Sequence, residues 1–369
     1  MIRMDLIGMG HRLIKDQMTK ERIVKFGIVG CGMISEIQAD ALRKVPGAEI
    51  TAFWDRKLAA AEKRVSQFGG RAYSDLDEFL KNPEIDAVSV CTPSGLHMET
   101  AIAAARAKKH LIIEKPLDVT TERIDRIIAA CRENEVKLGA IFPRRFSESS
   151  QALKNAINAG RFGTIVLADV YIKWYRTQEY YASSGWRGTY RYDGGGALMN
   201  QGIHGIDLLQ WLMGGVEKVT AFSATRAHTG IEVEDVAVAS LLFKSGALGV
   251  VEGTTGSWPG TTLRIEISGT DGFVVMEDET FQSWQFRHKL PEDEDIRLRF
   301  GKRSDVPDGG ASSPGSINSE GHRLQFADFV SAIRENRPPS IDGAEGRAAV
   351  AIISAIYRSA KEQRAVLVE

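Results

Sequence analysis

The chain has 369 residues, with 47 Lys plus Arg against 48 Asp plus Glu, for a formal net charge of −1. That length accommodates about two domains at ~100–200 residues each, and the balanced charge excludes a global basic field for nucleic acid. Hydrophobic residues at 43% and charged residues at 26% exclude a disordered or fibrous chain, and three cysteines, Cys31, Cys91 and Cys131, are too few for a disulfide framework.

Residues 1–17 hold Arg3, Arg12 and Lys15 but no continuous apolar segment and no small-residue cleavage site, so no secretory signal is expected. No apolar run approaches the ~20 residues needed to span a bilayer. The expected location is the cytoplasm. Met18 directly precedes the polar lead into the first strand-like run. Residues 1–21 are therefore expected to be a disordered or non-native extension, with Met18 as the functional start.

Short apolar runs at 23–29, 49–54, 87–91, 111–113 and 137–142 read as strands. The stretches 34–44, 57–68, 97–107 and 122–134 between them carry helical spacing of Ala, Leu and Ile. This alternation predicts an α/β domain over 22–143, with a doubly wound parallel sheet covered on both faces. Beyond residue 143 the texture changes. A helix at 149–159 and a strand at 164–174 precede a helix at 196–213. Alternating runs at 218–223, 237–243, 248–253, 262–268 and 273–277 then predict a large, mostly antiparallel sheet in an α+β domain over 144–342. A Gly-, Ser-, Pro- and Asp-rich stretch at 301–319 reads as a loop, and helices at 322–335 and 343–362 close the chain.

Directly after the first strand comes Gly30-Cys31-Gly32-Met33-Ile34-Ser35. Gly30 suits a tight turn, Gly32 admits close approach of a pyrophosphate, and the helix that follows presents its N–H groups to the anion. Ser35, at the third glycine position, is small enough for close helix–strand packing. Asp55 ends the second strand, where a ribose-binding acid belongs. Its charge favours NAD over a 2′-phosphate, while the adjacent Arg56 keeps NADP open.

Two further stretches, Cys91-Thr92-Pro93-Ser94-Gly95-Leu96-His97 and Glu114-Lys115-Pro116, lie at carboxyl ends of parallel strands, where ligands bind in such sheets. With the glycine turn, with Gly160-Arg161-Phe162-Gly163, and with Gly194-Gly195-Gly196-Ala197-Leu198-Met199-Asn200-Gln201-Gly202-Ile203-His204, they resemble the Gfo/Idh/MocA family of nicotinamide-dependent sugar and polyol oxidoreductases. The resemblance covers the chain from about residue 22 to its end. It implies a Rossmann domain, an open-sheet second domain that holds the substrate pocket, a final segment 343–369 returning to the Rossmann domain, and a homodimer or homotetramer. It also places Gly30, Gly32, Met33, Ile34, Asp55, Arg56, Thr92, Pro93, His97, Glu114, Lys115 and Pro116 around the cofactor.

Oxidation of a secondary alcohol needs a nicotinamide face and a base for the hydroxyl proton. The resemblance sets Lys115 beside the nicotinamide. Asn200, His204 and Asp207 share one face by helical spacing, so His204 serves as base with Lys115 holding the oxygen, or the two exchange roles. Many family members carry aspartate at the position of Asn200, and an amide cannot act as a base. His204 with Asp207 lacks further ligands for a metal, so none is expected.

The run Trp174, Tyr175, Arg176, Tyr180, Tyr181, Trp186, Arg187 and Arg191 offers aromatic faces for sugar and guanidinium forks for hydroxyls, carboxylate or phosphate. Of these, Trp174, Arg176, Trp186 and Arg187, with Arg145, Asn200 and His204, form the expected substrate set, although Arg145 fits a structural role equally well. The expected function is hydride transfer between NAD(P) and a secondary or anomeric hydroxyl of a sugar, sugar acid or polyol. A nucleotide-sugar 3-dehydrogenase of UDP-amino-sugar acid type is the alternative, and a non-catalytic NAD-sensing protein is the reading from another class.

Overall fold

The computed structural model describes residues 22–301 and 319–369, so the proposed extension over 1–21, the start at Met18 and all but the ends of the expected loop over 301–319 lie outside the described residues. Continuous apolar runs become the inner strands. β1 (Val24–Val29) and β4 (Ala87–Val90) are buried almost throughout, because helices cover both faces of their sheet. They are joined in one parallel sheet by β2 (Ala48–Trp54), β3 (Arg71–Tyr73), β5 (His110–Ile113) and β6 (Leu138–Ala140), in the order β3-β2-β1-β4-β5-β6. The connecting helices are α1 (Met33–Leu42), α2 (Leu58–Phe68), α3 (Leu76–Lys81), α4 (His97–Arg106) and α5 (Thr121–Glu133). In α5 the buried Ile124, Ile127 and Cys131 fall at helical spacing, and the Thr120 hydroxyl accepts from the Arg123 N–H to start the helix. The strand order reverses between β1 and β4, which opens a crevice at their carboxyl ends.

The second body contains α6 (Glu148–Asn158), β7 (Ile165–Lys173), α7 (Gln178–Ala182), a π turn at Ala197–Gly202, and α8 (Ile203–Met213). There follow β8 (Val216–Ala224), β9 (Val236–Phe243), β10 (Leu248–Thr254), β11 (Arg264–Gly269), β12 (Gly272–Glu277), β13 (Thr280–Phe286) and α9 (Glu292–Phe300). The chain closes with α10 (Glu320–Arg334), α11 (Gly343–Glu362) and β14 (Val366–Leu367). The sheet runs β13-β12-β11-β7-β10-β9-β8-β14. It is antiparallel except where β7 meets β10. Burial alternates along β9 and β10, so one face packs inward, and Phe222, Val238, Leu248 and Phe273 stay exposed.

Two features depart from the expected boundaries. Although the segment 144–342 was assigned to the second body, α10 covers the first sheet. Phe326 meets Phe26 edge to face at 5.9 Å, and Phe329, Val330 and Ile333 join the same buried cluster as Ile28 and Leu42. The final helix, α11, packs on α5 and β6 of the first body and also on α8 and β8 of the second. After it, β14 pairs with β8 at the edge of the second sheet. β3, α3, α7, β13, α9 and β14 were not expected, and most are too short to show a period.

Replacing the fully buried Phe326 by alanine leaves a cavity beneath α10. Denaturant unfolding of Phe326→Ala is expected to show a loss of about 3–5 kcal/mol.

Candidate active site

At the β1–α1 turn, Gly30 has φ +92°, and a Cβ there would stand 2.8 Å from the Cys91 backbone, so the turn requires glycine. Asp55 stitches this turn to the end of β2: one carboxylate oxygen accepts from Cys31 N–H at 2.9 Å and the other from Lys57 N–H at 2.9 Å. Beneath it, the buried Arg64 donates to the Gly32 carbonyl at 2.8 Å and to the Ser35 hydroxyl at 3.1 Å. Above it the space is open. No side chain caps α1, and a Cβ on Gly32 would meet nothing within 4 Å. Thr92 Oγ1, at the end of β4, is buried without a hydrogen-bond partner. An uncapped helix N-terminus, an open glycine, a strand-end carboxylate and an orphaned hydroxyl together fit a dinucleotide. Met33 and Arg56 are exposed, and Ile34 packs against the core beneath α1.

His97 fixes the second rim of the crevice. Its ring nitrogens face the Thr92 carbonyl at 2.8 Å and the Pro116 carbonyl at 3.0 Å, tying the turn that contains Pro93 to the Lys115–Pro116 segment. Glu114 points into the protein. Gln38 donates to it at 2.5 Å, and His322 of α10 lies 3.7 Å away. Burial works to raise the Glu114 carboxyl, but His322, Lys115 and Gln38 outweigh it and hold the group below its ordinary range. Neither Gln38 nor His322 is marked by a motif.

Lys115 crosses to the second body, where its ammonium donates to the Asn200 backbone carbonyl at 2.7 Å. Burial lowers this lysine below its usual range, against the pull of Glu114 and Asp193. The π turn holding Asn200 begins where Gly196 packs on Glu234: a Cβ there would lie 1.8 Å from the Glu234 carbonyl oxygen. The Glu234 carboxylate in turn accepts from Gly196 N–H and Leu198 N–H, each at 2.9 Å. One turn on, His204 packs against Phe142, and its Nδ1 is buried with no partner. Burial, then the positive charge of Lys115 and Arg144, hold its imidazole well below the usual histidine range. A neutral ring with a free nitrogen can take a proton.

Beside Asn200 lies the aromatic–arginine cluster. The guanidinium of Arg187 sits 4.2 Å from the Tyr180 ring centroid and 5.4 Å from that of Trp186, while Arg176 sits 5.6 Å from Tyr180 and 5.3 Å from the buried Trp174. Arg176 also donates to Gln201 at 2.9 Å, and Gln201 donates to the Tyr180 hydroxyl at 2.8 Å. Nε of Arg187 is buried without a partner.

Two expectations need correcting. Arg145 is not free for substrate: it is 3% exposed, donates to both Asp207 oxygens at 2.8 and 2.6 Å, and also pairs with Glu345. Asp207 is consequently withdrawn from the face it was expected to share with Asn200 and His204. The residue that sequence reasoning missed is Asp193, immediately before the triple glycine, whose carboxylate accepts from the Asn200 amide at 2.5 Å. With a dinucleotide in the crevice, Asp55→Ala removes a charged acceptor and loosens the turn. Titration of NADH fluorescence is expected to show binding weakened by about 10–100-fold, with a smaller loss for NADPH.

Comparison with known proteins agrees with this geometry. Residues 24–142 match the model of the oxidoreductase family with an NAD-binding Rossmann fold, and residues 150–275 match the GFO/IDH/MocA C-terminal domain. Myo-inositol 2-dehydrogenase of Thermotoga maritima is 28% identical, across 94% of this chain and 99% of its own. The WlbA dehydrogenase of Bordetella pertussis, solved with NADH and UDP-GlcNAcA, is 35% identical across 94% of this chain and 98% of its own, with a TM-score of 0.85. Levoglucosan dehydrogenase, solved with NADH and levoglucosan, is 25% identical across 94% and 99%, with a TM-score of 0.80. A glycine turn under an uncapped helix, with a lysine spanning to a histidine-bearing helix in an open-sheet domain, therefore belongs to a known lineage: the chain is a member of the GFO/IDH/MocA family of NAD-dependent oxidoreductases.

Proposed function

We propose that this dehydrogenase oxidises a secondary hydroxyl of an anionic, nucleotide-linked sugar, with a UDP-amino-sugar acid as the leading form. The observation that carries the reading is the pair of guanidiniums, Arg176 and Arg187, set on one tyrosine ring, with Arg176 tied through Gln201 to the residue that Lys115 touches. Two cations so close repel each other, and an anionic ligand relieves that repulsion. The likeness to WlbA dehydrogenases solved with UDP-GlcNAcA supports the same reading. A free sugar or polyol is the competing reading, favoured by the inositol dehydrogenases among the relatives.

Bound NAD supplies the hydride acceptor. Lys115 donates to the substrate oxygen and holds it in place, and the neutral His204 takes the hydroxyl proton as the carbinol carbon loses its hydride. Asn200 contributes its carbonyl to Lys115 and no base. Trp186 and Tyr180 pack the sugar, the buried Trp174 backs Arg176, and Arg176 and Arg187 hold the anionic end. The exposed apolar residues on the outer face of the second sheet support self-association as a homodimer or homotetramer.

A panel with NAD, following absorbance of NADH, tests the substrate class. Turnover is expected on UDP-linked sugar acids, and turnover confined to inositols or free aldoses overturns the anionic reading. Arg187→Ala is expected to raise KM for the nucleotide sugar by roughly 10–100-fold with kcat changed much less. Lys115→Met is expected to cut kcat by roughly 10²–10⁴-fold while still binding NADH; full turnover by that variant would sink the mechanism.

A further inference from the structure

We propose that Asp193 is the positioning carboxylate of this site, fixing the Asn200 amide and, through it, both the carbonyl that receives Lys115 and the Gln201–Arg176 arm. The placement of Asp193 is built rather than incidental. Its loop is clamped to the first body by Gly95, whose N–H donates to the Tyr192 carbonyl at 2.9 Å. A Cβ on Gly95 would stand 2.0 Å from the Arg191 carbonyl oxygen, so the two chain segments meet backbone to backbone. Asp193 itself is 1% exposed, and its second oxygen accepts from Gly188 N–H at 2.9 Å.

A carboxylate only accepts, so it forces the Asn200 nitrogen toward itself and turns Oδ1 the other way. The Gln201 amide then donates to that Oδ1 at 3.3 Å, and its own oxygen accepts from Arg176. One buried acid thereby orders a directional chain of hydrogen bonds ending at the guanidinium proposed to hold substrate. It also sets charge. Asp193 is the acid on the second-body side whose field reaches Lys115, with Glu114 on the other side.

Burial pushes the Asp193 carboxyl up to about 6, against Gly188 N–H, the Asn200 amide, Lys115 and Arg187. Tyr180 and Tyr181 of α7 also face it, and both are raised, chiefly by their own burial, so neither ionises near neutrality. His204 is held well below its ordinary range and is already neutral there. Both Asp193 oxygens accept, so protonation below about 6 turns one of them into a donor and removes the charge, and activity should rise with pH through that value.

The rate arm of the test rests on the dehydrogenase reading; the titration arm does not. With the sugar that the panel finds active, wild-type kcat is expected to rise as pH passes about 6. D193N keeps the shape of the side chain. It is expected to lower kcat at pH 7.5 by about 10–100-fold and to flatten that limb, with NADH affinity and unfolding midpoint retained. The exchange variant D193N/N200D puts the carboxylate at the other end of the same hydrogen bond and is expected to recover most of the rate. Unchanged kcat and pH profile in D193N overturn the proposal. Where D193N also unfolds easily, an exchange variant with recovered fold and unrecovered rate overturns it as well. In cofactor-free protein labelled with 13C at lysine Cε, D193N is expected to move the Lys115 titration, identified by its absence in K115M, to lower pH. An unmoved midpoint overturns the proposal even if no sugar is turned over, and that latter result would count against the substrate reading alone.

Discussion

The contact on which the site depends is the hydrogen bond from the Lys115 ammonium to the Asn200 carbonyl, 2.7 Å long, between the end of one sheet and a π turn of the other body. Lys115 extends from the strand-end segment that His97 ties down, and Asn200 lies in a turn whose free N–H groups are closed by Glu234. A charge-assisted bond to a backbone atom needs no charge on the side chain at position 200, only a side chain that holds the backbone in place. This explains how an amide occupies that position while the lysine keeps its place. The π turn supplies the geometry: a locally widened helix of the kind often found at functional sites.

Electrostatics in the seam are dominated by cations. Lys115 and Arg144 act on His204, Arg176 acts on Lys115, and Arg187 acts on Arg176, while burial lowers both Lys115 and His204. The buried acids that offset them are few and lie on opposite sides, Glu114 in the first body and Asp193 in the second. Each is held by amide donors as well as by charge, which keeps a buried carboxylate tolerable. An excess of positive charge in a partly enclosed space favours an anionic guest and a deprotonated base at once.

Much of this was legible in the sequence because it is local. The glycine turn, Asp55, His97, Glu114 and Lys115 all sit at strand ends, where apolar runs and glycines mark the boundary. The second sheet was legible from its period-two alternation. What could not be read depends on contacts distant in the chain. Arg145 reads as a candidate ligand until Asp207, 62 residues away, is seen to accept from its Nε and from one terminal nitrogen, with Glu345 taking the other. His322 and Gln38 belong to helices whose sequence shows only ordinary amphipathic spacing, and they reach Glu114 by folding alone. Asp193 looks like a turn residue before three glycines, and only the bond to Asn200 distinguishes it. The placement of α10 on the first sheet followed the same pattern, since its buried phenylalanines suit either body.

The helix α11 lies against both bodies, and the strand after it is hydrogen-bonded to the edge of the second sheet. The buried core is accordingly continuous from the inner strands of the first sheet, through α8 and α11, into the second. A joint of this kind has no slip plane: rotating one body against the other would tear close-packed side chains along a twenty-residue helix. The relative placement of lysine, histidine and glycine turn is then set as the chain folds, and no closure of one body on the other is needed to assemble it.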